Sequence, residues 1–216
     1  MGGVFLHTYL KRIVICITLT VLAWGCFLIR ERRKLSDELI RLHIVAASDS
    51  QNDQTVKLMV RDAVLRSIQD DLQKISDISE AKQYLQDNLT KIQTIVNATL
   101  AKNGFPEVSA VSFCKEPFPI RHYDTFSLPA GVYNSLRIII GEGNGQNWWC
   151  VAFPVLCIPA TSDAFRAEVV GAGFSTGTAE ALTAEGTYSL RFYCLDRLGE
   201  LENIFLSEKI LPCLLD

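Results

Sequence analysis

Residues 173–177 read Gly-Phe-Ser-Thr-Gly and fit the GxSxG pattern, in which a sharp turn exposes a nucleophilic serine. Acyl transfer by Ser175 on that fold would require a histidine base later in the chain. The three histidines, His7, His43 and His122, all precede Ser175. The chain order therefore favours a flexible glycine-serine loop. An exported or membrane-anchored serine hydrolase using residues 173–177 is the alternative.

A second glycine pattern, GEGNGQNWWC, occupies residues 141–150. A dinucleotide-binding GxGxxG motif would need a glycine in place of Gln146 and a helix after it, and a P-loop would need a lysine. The Trp-Trp-Cys-Val run that follows is typical of a strand instead. We interpret the segment as a glycine-rich turn between strands and predict no nucleotide cofactor.

Histidine, cysteine and aspartate side chains could in principle form a Cys-His dyad, a zinc site or a carboxylate pair. Their spacing matches none of these sites. His43 stands in an apolar run, where a core histidine with satisfied hydrogen bonds is the ordinary interpretation, and His122 follows Arg121 in a predicted turn. Asp49 and Asp53 fit a helix cap and first turn. The sequence predicts no catalytic residue, no metal and no cofactor.

Seven cysteines are present, and two of them lie in the apolar N-terminal segment. Cys150 and Cys157 could close a small disulfide loop in an oxidising compartment. They could equally be buried free thiols.

The elements that would position these residues follow from periodicity and caps. Residues 39–46 predict a strand that enters a core. Ser50 predicts the start of one amphipathic helix, and Asp77 the start of a second that ends at Asn103 and Gly104. After Pro106 the pattern predicts strands at 107–114, around 123–127, at 135–141 and at 148–153. The order predicts an α+β fold, with an antiparallel sheet covered on one face by a helical hairpin.

An N-terminal hydrophobic helix precedes this body. Residues 13–29 carry no charge and are flanked by basic clusters, which predicts a signal peptide or a membrane anchor. Four basic residues follow the span and two precede it, so the positive-inside rule favours a cytoplasmic body. We divide the chain into a signal or anchor at 1–34, a core domain at 35–160, and a Gly/Ala/Ser/Thr-rich segment with a C-terminal element at 161–216.

The charge of the chain is distributed unevenly. Residues 1–34 carry six of the basic residues and one acidic residue, which leaves 15 basic and 23 acidic residues and a net charge of −8 in the rest of the chain. An acidic body repels phosphates, so nucleic acid is not a predicted partner.

The two adjacent tryptophans must point to opposite faces of a strand, which allows one of them to anchor a partner. In the alternative interpretation both rings are buried, one in the main core and one beneath residues 159–187. The polar face of helix residues 52–66 is a further candidate contact surface. The residues predicted to contact a partner are Glu142, Asn147, Trp148, Trp149, Asn52, Lys57 and Arg61.

Two long segments resemble one known family. LIRLHIVAASDSQNDQTVKLMVRDAVL at 39–65 and FPIRHYDTFSLPAGVYNSLRIIIGEGNGQNWWCVAFPVLC at 118–157, together with the N-terminal segment, are similar to the stage II sporulation protein R family of endospore-forming bacteria. The resemblance covers most of residues 35–160.

The resemblance implies a signalling protein and not an enzyme. Members are made in the forespore and exported, by secretion or on a single N-terminal span, to the space between the two septal membranes. There they activate a membrane-embedded aspartic protease of the mother cell that processes pro-sigma-E. An extracytoplasmic ligand-binding module is a further alternative, which would require a closed apolar pocket.

Overall fold

The computed structural model describes residues 2–123, 126–154 and 170. Helix α1 comprises Gly2–Asp37, strand β1 Ile40–Val45, and helices α2, α3 and α4 Gln51–Leu72, Ile78–Asp87 and Leu89–Lys102. Strands β2, β3, β4, β5 and β6 comprise Ser109–Phe118, Arg121–His122, Ser127–Leu128, Gly131–Ile140 and Asn147–Phe153.

Helix α1 contains the predicted apolar segment. Its stretch Tyr9–Phe27 is long and apolar enough to cross a membrane, and none of it is buried against the protein. The helix continues without a break to Asp37, and Leu35, near its end, is buried with Leu39 in a small core of the body. A signal sequence and an anchor are both compatible with this helix.

Four strands form the main sheet in the order β2-β5-β1-β6. The pairs β2–β5 and β1–β6 are antiparallel, and β1–β5 is parallel. The fold class is confirmed: this is an α+β domain with a mainly antiparallel sheet. The sequence did not indicate the parallel pair, because strand order depends on contacts between distant segments.

Helices α2, α3 and α4 cover one face of the sheet. The large core lies between them, with apolar stripes from the helices packed on alternate residues of the strands, such as Leu42, Ile44, Leu136 and Ile138. These residues share a face because side chains alternate along a strand.

The helix boundaries follow the predicted caps. The Ser50 side chain accepts a hydrogen bond from the backbone N–H of Asp53, and the Asp77 carboxylate accepts from those of Ser79 and Glu80. The second predicted helix is divided in two at Asn88, whose side chain bonds to the carbonyl of Tyr84. The helical layer therefore consists of three helices instead of a simple hairpin.

The opposite face of the sheet carries the second, smaller core. It contains Leu35, Leu39, Phe118, Phe126, Leu128, Tyr133 and Val151. The short hairpin β3–β4, at the place where the sequence predicts a strand around 123–127, contributes Phe126 and Leu128. This second face is the more polar one, with Arg41, His43 and Glu116 buried on it.

Candidate functional site

The two tryptophans lie on opposite faces of β6, as the alternation of a strand predicts. Trp148 packs against the helix-side core, with the guanidinium of Arg61 5.2 Å from its ring centre. Trp149 packs against the second core. Both side chains are half-buried. Whether either tryptophan contacts a partner stays a prediction.

The glycine-rich turn connects β5 to β6 and crosses the carboxyl end of β1, which lies between them. Its backbone donates hydrogen bonds from Gly145 to the carbonyl of Ala46 (2.9 Å) and from Asn144 to that of Ala47 (3.1 Å). A Cβ on Gly145 would overlap the carbonyl of Ser48. The turn therefore needs glycine for a close backbone approach, and it is tied to the body.

Lys57 differs from its predicted position on the polar face of α2. It is only 5% exposed, and its ammonium group donates to Gln54 Oε1 and to the carbonyl of Gln146 (3.0 Å). Burial lowers the pKa of Lys57, while Asp49 opposes that effect. Lys57 thus fastens the glycine-rich turn to α2, and its burial leaves it little surface for a partner.

A polar cluster crosses the second face of the sheet around His43. The Nδ1 atom of His43 lies 3.1 Å from both oxygens of Glu116, and its Nε2 lies 2.7 Å from Oδ1 of Asn147. Arg137 approaches the same carboxylate at 3.8 Å. His43 is therefore a histidine with both ring nitrogens satisfied, as the sequence predicts.

The charge of Glu116 is stabilised by its neighbours. Burial acts to raise the pKa of this carboxyl group, but the hydrogen bond and charge of His43, together with Arg137, outweigh burial and lower it. Glu116 is thus a buried carboxylate that stays ionised at neutral pH.

Arg41 is the largest fully buried side chain of the second face. Its Nε donates to the carbonyl of Cys150 (3.1 Å) and its Nη2 to the hydroxyl of Tyr123 (2.6 Å). The guanidinium also lies over the rings of Phe118 and Tyr133, at 4.4 and 5.1 Å from their centres. Among the described residues, aromatic faces, a carbonyl and a hydroxyl stabilise this charge.

Arg121 lies over Trp149 on the same face. The guanidinium carbon is 3.5 Å from the centre of the Trp149 ring, and that ring stacks on His43 at 5.5 Å. Burial lowers the pKa of Arg121, Tyr123 opposes this, and the like charge of Arg41 adds to the lowering. Two guanidiniums are therefore close enough to repel each other.

The cluster lacks the geometry of a hydrolase site. A catalytic histidine would present Nε2 to a hydroxyl or thiol, whereas Nε2 of His43 faces the amide of Asn147. Ser175 and the rest of residues 173–177 lie outside the described residues. Among the residues that the structure describes, no group of three or more His, Cys, Asp or Glu side chains could hold a metal ion.

Two grooves occur on the helical layer, one beside Met59, Arg66 and Lys102 and one beside Asn52 and Phe105. Their volumes are about 430 and 580 Å³. Both are open to solvent and so differ from the closed apolar pocket that a ligand-binding module would require.

The remaining predicted contact residues lie in three places. Glu142 and Asn147 are exposed at the glycine-rich turn and at the start of β6, and Asn52 is exposed in the first turn of α2. Arg61 is half-buried and donates to Asp62 at 2.7 Å. The structure does not bring these residues into a single surface. Trp148 and Arg61 lie on the helix side of the sheet, whereas the side chain of Asn147 is hydrogen-bonded to His43 on the opposite face.

Sequence reasoning missed Arg41, Glu116, Arg121 and Arg137. The available signal was Arg41 and His43 at alternate positions of an otherwise apolar strand. Charged residues are seldom buried without a partner, so this pattern indicates a polar cluster on the second face.

Cys114 and Cys150 are both disulfide-bonded. They do not bond to each other, because β2 and β6 are the two outer strands of the sheet. Cys157 lies outside the described residues, so the pairing of Cys150 with Cys157 stays a prediction. The two cysteines of the N-terminal helix, Cys16 and Cys26, are free.

These features define an α+β protein that begins with an apolar helix able to cross a membrane. The family described as stage II sporulation protein R (spore_II_R) matches residues 36–163. The stage II sporulation protein R of Bacillus subtilis (strain 168) is 37% identical to this chain over 158 residues, which cover 68% of this chain and 70% of the relative. The chain belongs to the stage II sporulation protein R family. The search of solved structures found no significant match.

Proposed function

We propose that this chain is an exported intercellular signal of endospore formation. It is made in the forespore, passes into the space between the septal membranes, and activates the membrane-embedded aspartic protease that processes pro-sigma-E in the mother cell. The observation that carries the proposal is the family match over residues 36–163, which includes the whole described sheet and its helices.

Two structural features support a role outside the cytoplasm. The stretch Tyr9–Phe27 offers a route into the membrane. The disulfide bonds of Cys114 and Cys150 are typical of an oxidising compartment.

A reconstituted system in a host that does not sporulate tests the proposal. The host makes pro-sigma-E, the protease and this chain, and an immunoblot measures conversion of pro-sigma-E to its mature form. We expect conversion with the full chain and none without it. Absence of conversion, when the protease and an exported chain are both present, would contradict the proposal.

The same system separates a signal from a hydrolase. We expect the Ser175→Ala chain to support conversion as well as the wild type does, because no histidine follows this serine. Loss of conversion, with normal accumulation and export of that variant, would favour catalysis by Ser175.

A further inference from the structure

The second face of the sheet concentrates positive charge on an acidic body. Its described residues include three guanidiniums, those of Arg41, Arg121 and Arg137, and one carboxylate, Glu116, whose charge is already compensated by His43 and Arg137. The chain beyond residue 34 has a net charge of −8. This face is therefore a local exception that would attract an acidic group.

Three donor nitrogens of these arginines have no hydrogen-bond acceptor within the part of the chain that the structure describes. They are Nη1 of Arg41, Nε of Arg121 and Nε of Arg137, and each is buried. A buried donor without a partner costs free energy, more so when it carries charge. A carboxylate is the group that best satisfies a guanidinium, since it can accept two parallel hydrogen bonds.

Arg121 and Arg137 are half-buried, whereas Arg41 is fully buried. The guanidinium carbon of Arg121 lies 3.5 Å from the centre of the Trp149 ring, and the neighbouring Asn147 is exposed. Stacking holds the guanidinium in one plane, so its edge is already oriented for a bidentate contact. Arginine and tryptophan are also the residue types most enriched among the strong contacts of protein interfaces.

The other arginine–tryptophan pair, Arg61 with Trp148 on the helix side, differs in one respect. Nε of Arg61 donates to Asp62, which neutralises its charge within the helix. Nε of Arg121 has no such partner among the described residues. The two pairs therefore have similar geometry, but they differ at Nε: that of Arg61 is already bonded to a carboxylate, and that of Arg121 can still donate a hydrogen bond to a carboxylate of a partner.

We propose that the Arg121–Trp149 pair, supported by the charge of Arg41 behind it, is the docking site for an Asp or Glu side chain on an extracytoplasmic segment of the partner protease. The identity of the partner rests on the proposed function. Recognition of a carboxylate by this face rests on the contacts and charges described above.

The test uses the full chain in the reconstituted system, with the protease carrying an affinity tag. We expect Arg121→Gln to reduce both the protease-bound chain and the conversion of pro-sigma-E by about tenfold or more, equivalent to about 1.4 kcal/mol. Lys102→Gln, which removes one positive charge from an exposed helix position, is the matched control and should change neither quantity by more than about twofold. Arg121→Lys keeps the charge and should retain an intermediate level of binding.

A binding measurement on the detergent-solubilised full chain is independent of the protease. The probe is a fluorescent peptide of four glutamates, compared with one of four glutamines. We expect the glutamate peptide alone to bind, with affinity that falls in high salt and falls about fivefold or more in Arg121→Gln. A thermal melt checks that each variant is folded. If Arg121→Gln does not fold, Arg121→Lys, which keeps the charge but loses the planar fork, takes its place and should also weaken binding of the glutamate peptide.

The outcomes distinguish the two proposals. If the wild-type chain binds the glutamate peptide through Arg121 but conversion never occurs, the proposed function fails and carboxylate recognition stands. If conversion occurs and Arg121→Gln behaves like Lys102→Gln in both assays, the docking proposal is wrong. It is also wrong if the two peptides bind equally, or if the wild-type chain binds neither because its own residues occupy the face.

Discussion

At the scale of single residues, the charged side chains of the second face form two sets. One is the Glu116 carboxylate with its hydrogen-bonded and charged neighbours, and the other is the pair of arginines Arg41 and Arg121. The carboxylate of Glu116 contacts His43 and Arg137. The guanidinium of Arg41 lies over Phe118 and donates hydrogen bonds to a backbone carbonyl and a hydroxyl oxygen, and that of Arg121 lies over Trp149. A compensated buried carboxylate stabilises the fold only while it is ionised. The stability of the fold should therefore decrease when acid protonates this carboxylate.

We expect Glu116→Gln to lower the free energy of unfolding at pH 7 by about 3 kcal/mol, because Arg137 would lose its counter-ion and His43 would lose a charged hydrogen-bond partner. The pKa of Glu116 is lowered from its ordinary value of 4.5, so its contribution is fully present above that pH and is lost as pH falls through the lower folded value. The difference in stability between wild type and variant should therefore begin to decrease below about pH 4.5 and be lost once the pH is below the folded value. Thermal melts of the full chain in detergent across this range measure the difference.

The exposed Glu142→Gln variant is the control for that experiment, since it removes one carboxylate outside the cluster. It should follow the wild-type stability curve at every pH. A constant difference between Glu116→Gln and the wild type down to pH 3 would show that the ionised carboxylate does not hold this cluster together.

The sequence predicted part of this residue-scale picture. Alternation along β6 is a local property, so it places Trp148 and Trp149 on opposite faces without any knowledge of the fold. The contact of His43 with Glu116 joins residues 73 positions apart, and that with Asn147 joins residues 104 apart. Which strands are neighbours cannot be read from one strand, and for that reason the cluster was not predicted.

At the scale of elements, the glycine-rich turn explains how β5 connects to β6 across the end of β1. Gly145 passes so close to Ser48 that a methyl group has no room, and Gly143 has a positive φ of 68° with a Cβ position 2.7 Å from Ile139. The turn is therefore a fixed connection between strands. It positions Asn147 and both tryptophans.

We expect Gly145→Ala to lower the free energy of unfolding by roughly 2–3 kcal/mol, because the new methyl group meets backbone atoms that cannot move independently. Gly104→Ala is the comparison: Gly104 has a positive φ of 78°, which Gly145 does not, but no atom lies within 4 Å of the new methyl group. Backbone strain alone should cost that variant about 1 kcal/mol. Equal losses in chemical denaturation of the two full-length variants would contradict the close approach.

Helix starts were predictable at this scale because a cap depends on residues within one turn of one another. Ser50 and Asp77 both act as predicted. The break at Asn88 was not predicted, since the apolar stripe continues through it from Leu85 to Ile92 and both residues are buried in the same core. The parallel β1–β5 pair was missed for the same reason as the charge cluster.

At the scale of the whole molecule, helix α1 runs without a break from the apolar stretch to the body, where Leu35 joins the second core. Leu35, in the second core, follows Phe27, the end of the apolar stretch, by eight positions, a helical rise of about 12 Å. If the helix is retained as an anchor, the body is held close to the membrane. Hydropathy predicted this helix, but the burial of Leu35 depends on the tertiary fold.

The side of the membrane on which the body lies gives a prediction at this scale. We expect alkaline phosphatase fused after residue 35 to be active, which requires export despite the four basic residues that follow the span. The control fusion lacks residues 2–34 and should be inactive. An inactive first fusion whose phosphatase is protected from external protease would indicate a cytoplasmic body and would leave the fold unaffected.

The central claim is that this chain acts as the sporulation signal, and complementation in sporulating cells tests it most directly. Cells from which the Bacillus subtilis relative has been deleted receive either the full chain or a chain without residues 2–34, expressed in the forespore. An immunoblot measures conversion of pro-sigma-E. The full chain should restore conversion, and the truncated chain should not. Failure of the full chain to restore it, although the protein accumulates and is exported, would contradict the claim, as would equal conversion by the truncated chain.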